Sequence, residues 1–341
     1  MQQSPARIVV ADDVEESLSV LCEHLTADGH TVFRALDGEA AFELVHREVP
    51  DLVLTDVQMP SLDGFELCRR IKSDAITRLI PVVLVTGLAD RQARLDGINA
   101  GADEFLSKPV SVSELQARVR SLVRLKRFTD DLDSAESIII SLAMTVEARD
   151  QYTSGHCERM AAYAAALGAH LGLPSEDVGA LRRGGYLHDV GKIGIPDAIL
   201  LKPSRLTADE ADRMRTHATI GDSLCGGLRL LKLVRPIVRH HHERLDGSGY
   251  PDGLRGDEIP LLAQIMGVVD VYDALSTDRP YRAALTRDDA CAELEREADA
   301  GWRSADLVQT FVGLCRSGRL DELARTLAGS PEPAAFAPGP R

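Results

Sequence analysis

Four short apolar runs, Ile8–Ala11, Thr31–Ala35, Leu52–Thr55 and Val82–Val85, alternate with stretches of helical periodicity over the first third of the chain. Runs of this length, rich in Val, Ile and Leu, read as strands buried on both faces, and strands separated by helices pair in parallel. The alternation restricts residues 5–124 to an α/β doubly wound parallel sheet, five-stranded once a further run before Lys108 is counted. Ligand sites in such sheets lie at the carboxyl ends of the strands. The polar residues fall there: Asp12 and Asp13 after the first run, Asp56 after the third, Thr86 after the fourth and Lys108 after the fifth.

Val57-Gln58-Met59-Pro60 and Asp63-Gly64 follow Asp56, and Pro109 follows Lys108. With these neighbours the set resembles that of response-regulator (CheY-like) receiver domains. The resemblance implies a phosphoacceptor, Asp56, attacking the phosphohistidine of a cognate sensor histidine kinase, with Mg held by Asp13, Asp56 and the carbonyl of Gln58. A carboxylate is the nucleophile this transfer needs, and the metal neutralises the phosphoryl oxygens. Asp12 would support the metal, Thr86 would offer a hydroxyl and Lys108 a point charge to the product, and Phe105 matches the aromatic switch position.

Residues 111–150 contain almost no Gly or Pro, and Leu115, Val119, Leu122, Leu125, Leu132, Ile139 and Leu142 recur at helical spacing. This predicts a long coupling helix into the second domain, with a homodimer as one expected consequence. The alternative is that the part from Ile138 onward packs on its own domain.

Downstream, all predicted elements are helical, and the chemistry concentrates around His188-Asp189. One imidazole and one carboxylate at adjacent positions suit a borderline divalent metal, and further ligands are spaced around them: His156, His217, His241, His242 and an aspartate in the apolar run 266–275. His156 starts a helical stripe of Met160, Tyr163, Leu167 and Leu171, so it faces a core, and a carboxylate in a core calls for a compensating cation. Asp270 and Asp273 share a helix face, and ligand chemistry alone leaves both open.

His188-Asp189-Val-Gly-Lys192, His217, His241-His242-Glu243, Asp246-Gly-Ser-Gly-Tyr250-Pro251 and the segment from Asp270 through Arg279-Pro-Tyr-Arg282 resemble the HD-GYP family of metal-dependent phosphohydrolases. The resemblance spans about residues 137–327 and implies an all-α HD-type helical bundle, assigned here to residues 137–328, with 329–341 as a disordered tail. It implies a di-metal site (Fe, Mn or similar) of His156, His188, Asp189, His217, His241, His242 and Asp270, thereby choosing Asp270. Asp189 and Lys192 become catalytic residues, and Lys192, Arg279, Arg282, Asp150 and Tyr250 substrate contacts. Tyr152 occupies the place of a glutamate that gives some members a third metal, which points to two metals here. His240 is outside the family pattern and reads as a surface residue. The implied reaction is hydrolysis of cyclic di-GMP to pGpG, GMP or both, controlled by phosphorylation of Asp56. Two other readings stay open: a phosphodiesterase for another cyclic dinucleotide, or a catalytically silent module that senses cyclic di-GMP or docks a diguanylate cyclase.

Composition bounds these readings. The chain carries 39 Lys and Arg against 53 Asp and Glu, a net charge of -14. Residues 1–124 hold 13 against 20 and the remainder 26 against 33, so neither part is basic and a DNA-binding output is disfavoured. Six cysteines without Cys-x-x-Cys spacing suit a reducing compartment, and no apolar run nears about 20 residues, so a cytoplasmic protein off the membrane is expected.

Overall fold

The computed structural model describes residues 5–74, 76–87, 91–149, 155–278 and 283–328. Two compact units meet between Ala135 and Glu136. Asp150, Tyr152, Arg279 and Arg282, and the tail 329–341, lie outside the described residues.

In the first unit β1 (Arg7–Ala11), β2 (Thr31–Ala35), β3 (Leu52–Asp56), β4 (Val82–Thr86) and β5 (Glu104–Ser107) form one parallel sheet in the order β2-β1-β3-β4-β5. Ile8 pairs with Val32 on one side and Leu52 on the other, and Val53 pairs with Val82. Alternate strand residues face opposite sides. Ile8, Val10, Leu52, Leu54, Val83 and Val85 bury against α1 (Glu15–Ala27) and the first turns of α5 (Val112–Glu147), through Leu18, Leu25, Leu115 and Val119. Val9, Val53 and Leu84 bury on the other face against α2 (Gly38–Glu48) and α3 (Gly64–Ser73), through Val45, Leu67 and Ile71. The strand order reverses between β1 and β3, which opens a crevice at their carboxyl ends. Asp63 closes that end of β3 into α3 as its N-cap, its side chain accepting from Glu66 N.

The second unit is helical among its described residues: α6 (His156–His170), α7 (Ser175–Leu187), α8 (Asp197–Leu200), α9 (Ala208–Arg215), α10 (His217–Cys225), α11 (Val234–His240), α12 (Leu261–Ser276), α13 (Arg287–Asp299), α14 (Ala305–Arg316) and α15 (Arg319–Ala328). Its core is built from Met160, Leu167, Leu181, Ile237, Met266, Val269 and Phe311, and the last turns of α5 join it through Ala143 and Ile139. The end of α5 thus packs on its own domain, the alternative raised by its sequence. Helix α11 begins only at Val234, because Pro236 lacks an N–H and is tolerated only in a first turn. Thr207 and Glu210 form the capping box their spacing predicts. Among the described residues no helix is long and apolar enough to cross a membrane.

Candidate metal centre and receiver cleft

Five elements bring the candidate ligands together. His156 opens α6, His217 opens α10, His241 and His242 follow α11, and Asp270 lies on α12. His188 ends α7, and at Asp189 the chain leaves the helix for a 3₁₀ turn, Val190–Gly194. That turn requires glycine at 191, where a Cβ would stand 1.9 Å from the carbonyl oxygen of His217. The same close approach sets Asp189 beside the His217 ring.

The ligand atoms form two groups, His156 with His188 and Asp270, and Asp189 with His217, His241 and His242, each within 4.8 Å. Asp189 reaches both: Oδ2 is 3.4 Å from His188 Nε2 and Oδ1 is 3.2 Å from His217 Nε2.

Outer hydrogen bonds decide which ring nitrogens are bare. His188 Nδ1 faces the carbonyl of Gly185 at 2.9 Å, His217 Nδ1 that of Met214 at 2.9 Å and His241 Nδ1 that of Val238 at 3.0 Å. A carbonyl can only accept, so each Nδ1 carries a proton and each Nε2 is the nitrogen turned inward, with a lone pair to offer whenever the ring is neutral. His217 Nε2, His241 Nε2 and Asp189 Oδ1 are buried acceptors without hydrogen-bond partners among the described residues. Converging unpaired acceptors are costly unless a cation lies between them, and this donor set fits a divalent metal.

The charges agree. Burial and neighbouring imidazoles pull His241 down to about 3 and hold His242 well below the usual histidine range. Burial also lowers His217. At His188 burial pulls downward but the Asp189 carboxylate prevails, raising it to about 9. In the metal-free protein its Nε2 proton then lies between His188 and His156 Nε2, 3.2 Å apart. A metal must displace that proton, so Mn(II) affinity is expected to rise about tenfold per pH unit from pH 7 and to level off above about 9. Titrations at three pH values check the slope; a flat profile would contradict it.

Asp270 and Asp273, inseparable from sequence, have different places. Asp270 joins His156 and His188. Asp273 is the deeper carboxylate, 2% exposed, and accepts from His156 Nδ1 at 2.6 Å and from Arg159 Nε at 2.5 Å. Asp273 is therefore the core carboxylate, compensated by Arg159, while Asp270 is partly exposed beside the imidazoles. Asp273→Ala is expected to weaken metal binding about 10- to 100-fold, as for other partners of ligating histidines, read by metal analysis after dialysis.

Lys192 lies in the 3₁₀ turn after Asp189, and its Nζ bonds Asp189 Oδ2 at 2.8 Å. Tyr250 stacks on His242 with ring centroids 4.7 Å apart and meets His217 edge-on. Its loop turns through Gly247 at φ 81°, and Gly249 lies where a Cβ would stand 2.4 Å from Glu243 Cα. Buried Glu243 anchors the loop, accepting from the backbone of Asp252, Gly253 and Leu254 at 2.7, 3.1 and 3.2 Å. Glu243→Ala would leave those donors unpaired, and a loss of about 2 kcal/mol or more in urea unfolding followed by circular dichroism is expected. His240, expected at the surface, is half-buried with Nε2 2.9 Å from Asp252 Oδ2.

Sequence reasoning gave no role to Arg159 or Glu243. The paired i, i+3 spacings His156/Arg159 and Asp270/Asp273 carried a signal, since they repeat on facing helices; Glu243 stands in the motif His241-His242-Glu243, but nothing local marked its hold on the loop.

In the receiver unit, Lys108 Nζ bonds Asp12 Oδ2 at 2.8 Å and Asp56 Oδ2 at 2.9 Å. Burial opposes the Lys108 charge, but the two carboxylates prevail and raise its pKa. Asp12 also accepts from Ser17 Oγ at 2.6 Å and Val14 N at 3.0 Å. Asp13 is exposed and shares a potential cation group with Asp12 and Asp56. Asp13 and Gln58 line an open cleft, Thr86 is buried at the end of β4, and half-buried Phe105 packs in the sheet core.

Comparison with known proteins agrees with both units. The family described as a response regulator receiver domain matches residues 8–120, and the HD domain family matches residues 141–304. The cyclic di-GMP phosphodiesterase response regulator RpfG of Xanthomonas campestris pv. campestris is 38% identical over 311 residues, covering 84% of this chain and 82% of that protein. This chain belongs to the response regulators that carry an HD domain. Another similar protein is a cyclic di-GMP phosphodiesterase of Thermotoga maritima, 32% identical over 90% of both chains. A stretch of 166 residues of this response regulator is also similar to the 3'3'-cGAMP-specific phosphodiesterase 3 of Vibrio cholerae, 41% identical over 48% of this chain and 36% of that protein.

Proposed function

We propose that this response regulator hydrolyses cyclic di-GMP at a centre of two divalent metals, Mn or Fe(II), and that phosphorylation of Asp56 by a sensor histidine kinase controls the output. The observation that carries the reading is the convergence of seven ligand residues in two groups, with the carboxylate of Asp189 reaching both. His156, His188 and Asp270 would hold one metal, His217, His241 and His242 the other, and Asp189 both.

Bound metals would supply ionisation of a water near neutral pH and neutralisation of phosphoryl charge. The chain's own residues prepare the rest. The Nδ1 hydrogen bonds keep four imidazoles in a single tautomer. Lys192 holds a positive charge at Asp189, at the edge where a substrate phosphate would lie. Tyr250 offers a ring face beside His242. Arg279 and Arg282 are assigned to the substrate phosphate, and Asp150 to the pocket edge, on motif alone. Water adds to phosphorus, the P–O3' bond breaks and linear pGpG leaves, with GMP after a second cut. In the receiver, Asp13, Asp56 and the Gln58 carbonyl would hold Mg while Asp56 accepts the phosphoryl group; Asp12 is engaged by Lys108, Ser17 and Val14. A homodimer and a diguanylate cyclase partner fit this reading as further proposals.

Similarity to a 3'3'-cGAMP-specific enzyme favours one second reading, a different cyclic dinucleotide at the same centre. Parallel kcat/KM measurements on cyclic di-GMP and 3'3'-cGAMP separate them: preference for cyclic di-GMP supports the first reading, and preference for the hybrid nucleotide selects the second.

A further inference from the structure

We infer that Glu147, the last residue of α5, is a positioning residue that sets the backbone from which His156 projects. The inference rests on the two-metal reading. Helix α6 begins at His156, and its N-cap, Gly155, supplies no side-chain acceptor. First-turn N–H groups have no intrahelical partner and are ordinarily met by a cap side chain. Here Glu147 Oε1 meets one of them, accepting from the backbone of Cys157 at 3.1 Å from ten positions upstream. A carboxylate at that end also suits the helix dipole.

Cys157 adjoins His156, so this bond fixes the chain at the imidazole's root, while Asp273 fixes the ring at Nδ1. Tyr186 restrains Cys157 further, its carbonyl accepting from Sγ at 3.6 Å. Glu147 lines a small cavity with His156, Cys157, Tyr186, Asp189 and Lys192, yet among the described residues it is in neither ligand group. Just beyond α5, Arg149 bonds Asp197 Oδ1 at 2.5 Å and the carbonyl of Ile193 at 3.4 Å, in the segment that follows Lys192. The end of α5 thereby contacts the chain next to His156 and the chain next to Lys192. A displacement there acts on the first ligand group without touching a metal.

The test is a Co(II) titration of full-length wild type, Glu147→Ala, Glu147→Gln and Glu147→Asp. Visible absorption of histidine-bound cobalt reports loading, and kcat and KM are measured on Mn-loaded samples. Glu147→Ala is expected to bind one of two equivalents about 10- to 100-fold more weakly, with kcat lowered and KM near wild type. Glu147→Gln, whose amide oxygen still accepts from Cys157, is expected to restore both. Glu147→Asp, one methylene shorter, should resemble Ala and serves if Ala does not fold. Two wild-type affinities in both Ala and Asp, or a Gln variant as defective as Ala, would overturn the positioning role. A wild type that takes up no Co(II) would instead strike the two-metal reading itself.

Discussion

Asp189→Ala is expected to strip both metal groups and lower cyclic di-GMP hydrolysis by about 10³-fold or more, at least the scale for losing one group aimed at transition-state charge. The size follows from geometry. Each histidine serves one group, whereas Asp189 sends Oδ2 to His188 and Oδ1 to His217. Its loss also removes the carboxylate that Lys192 meets, and the ammonium would then stand beside the emptied ligands and repel a cation. Metal analysis after dialysis, with product formation followed by chromatography, checks both effects. Retention of two metals by the Ala variant would show that Asp189 does not bridge the groups.

Asp56→Asn is expected to abolish phosphoryl acceptance altogether. Among the described residues of the cleft, Asp12 is engaged by Lys108, Ser17 and Val14 and is fully buried, whereas Asp56, which accepts from Lys108 and from Val57 N, ends β3 beside the exposed Asp13. An amide is no nucleophile towards phosphorus, so neither acetyl phosphate nor a phosphorylated kinase would label the variant. Mass spectrometry of the intact chain, with hydroxylamine lability identifying an acyl phosphate, reads the result. A label of that kind on the Asn variant would move the acceptor elsewhere.

Much of this architecture was legible in the sequence for definite reasons. Parallel α/β alternation sends the functional residues to the carboxyl ends of strands, so Asp12, Asp56, Thr86 and Lys108 could be placed before any coordinates. The histidines could be grouped because their motifs keep order and spacing. What escaped depends on long-range contacts. Asp270 and Asp273 lie one helical turn apart, and only the position of α6 makes one a neighbour of two imidazoles and the other the partner of His156 and Arg159. Glu243 is buried by a loop that closes back on it, which no local pattern announces. The pairing of Lys192 with Asp189 depends on the chain leaving its helix at Asp189 for a 3₁₀ turn, which no local pattern marks.

The central claim is tested most directly by cyclic di-GMP hydrolysis with the full-length chain reconstituted without oxygen with Mn or Fe(II), beside the same protein stripped by a chelator. The account predicts two firmly held metals in the HD unit and linear pGpG, or GMP, from the loaded protein alone. Two metals held with no cyclic dinucleotide cut under either metal would contradict it and leave the HD unit a binding module.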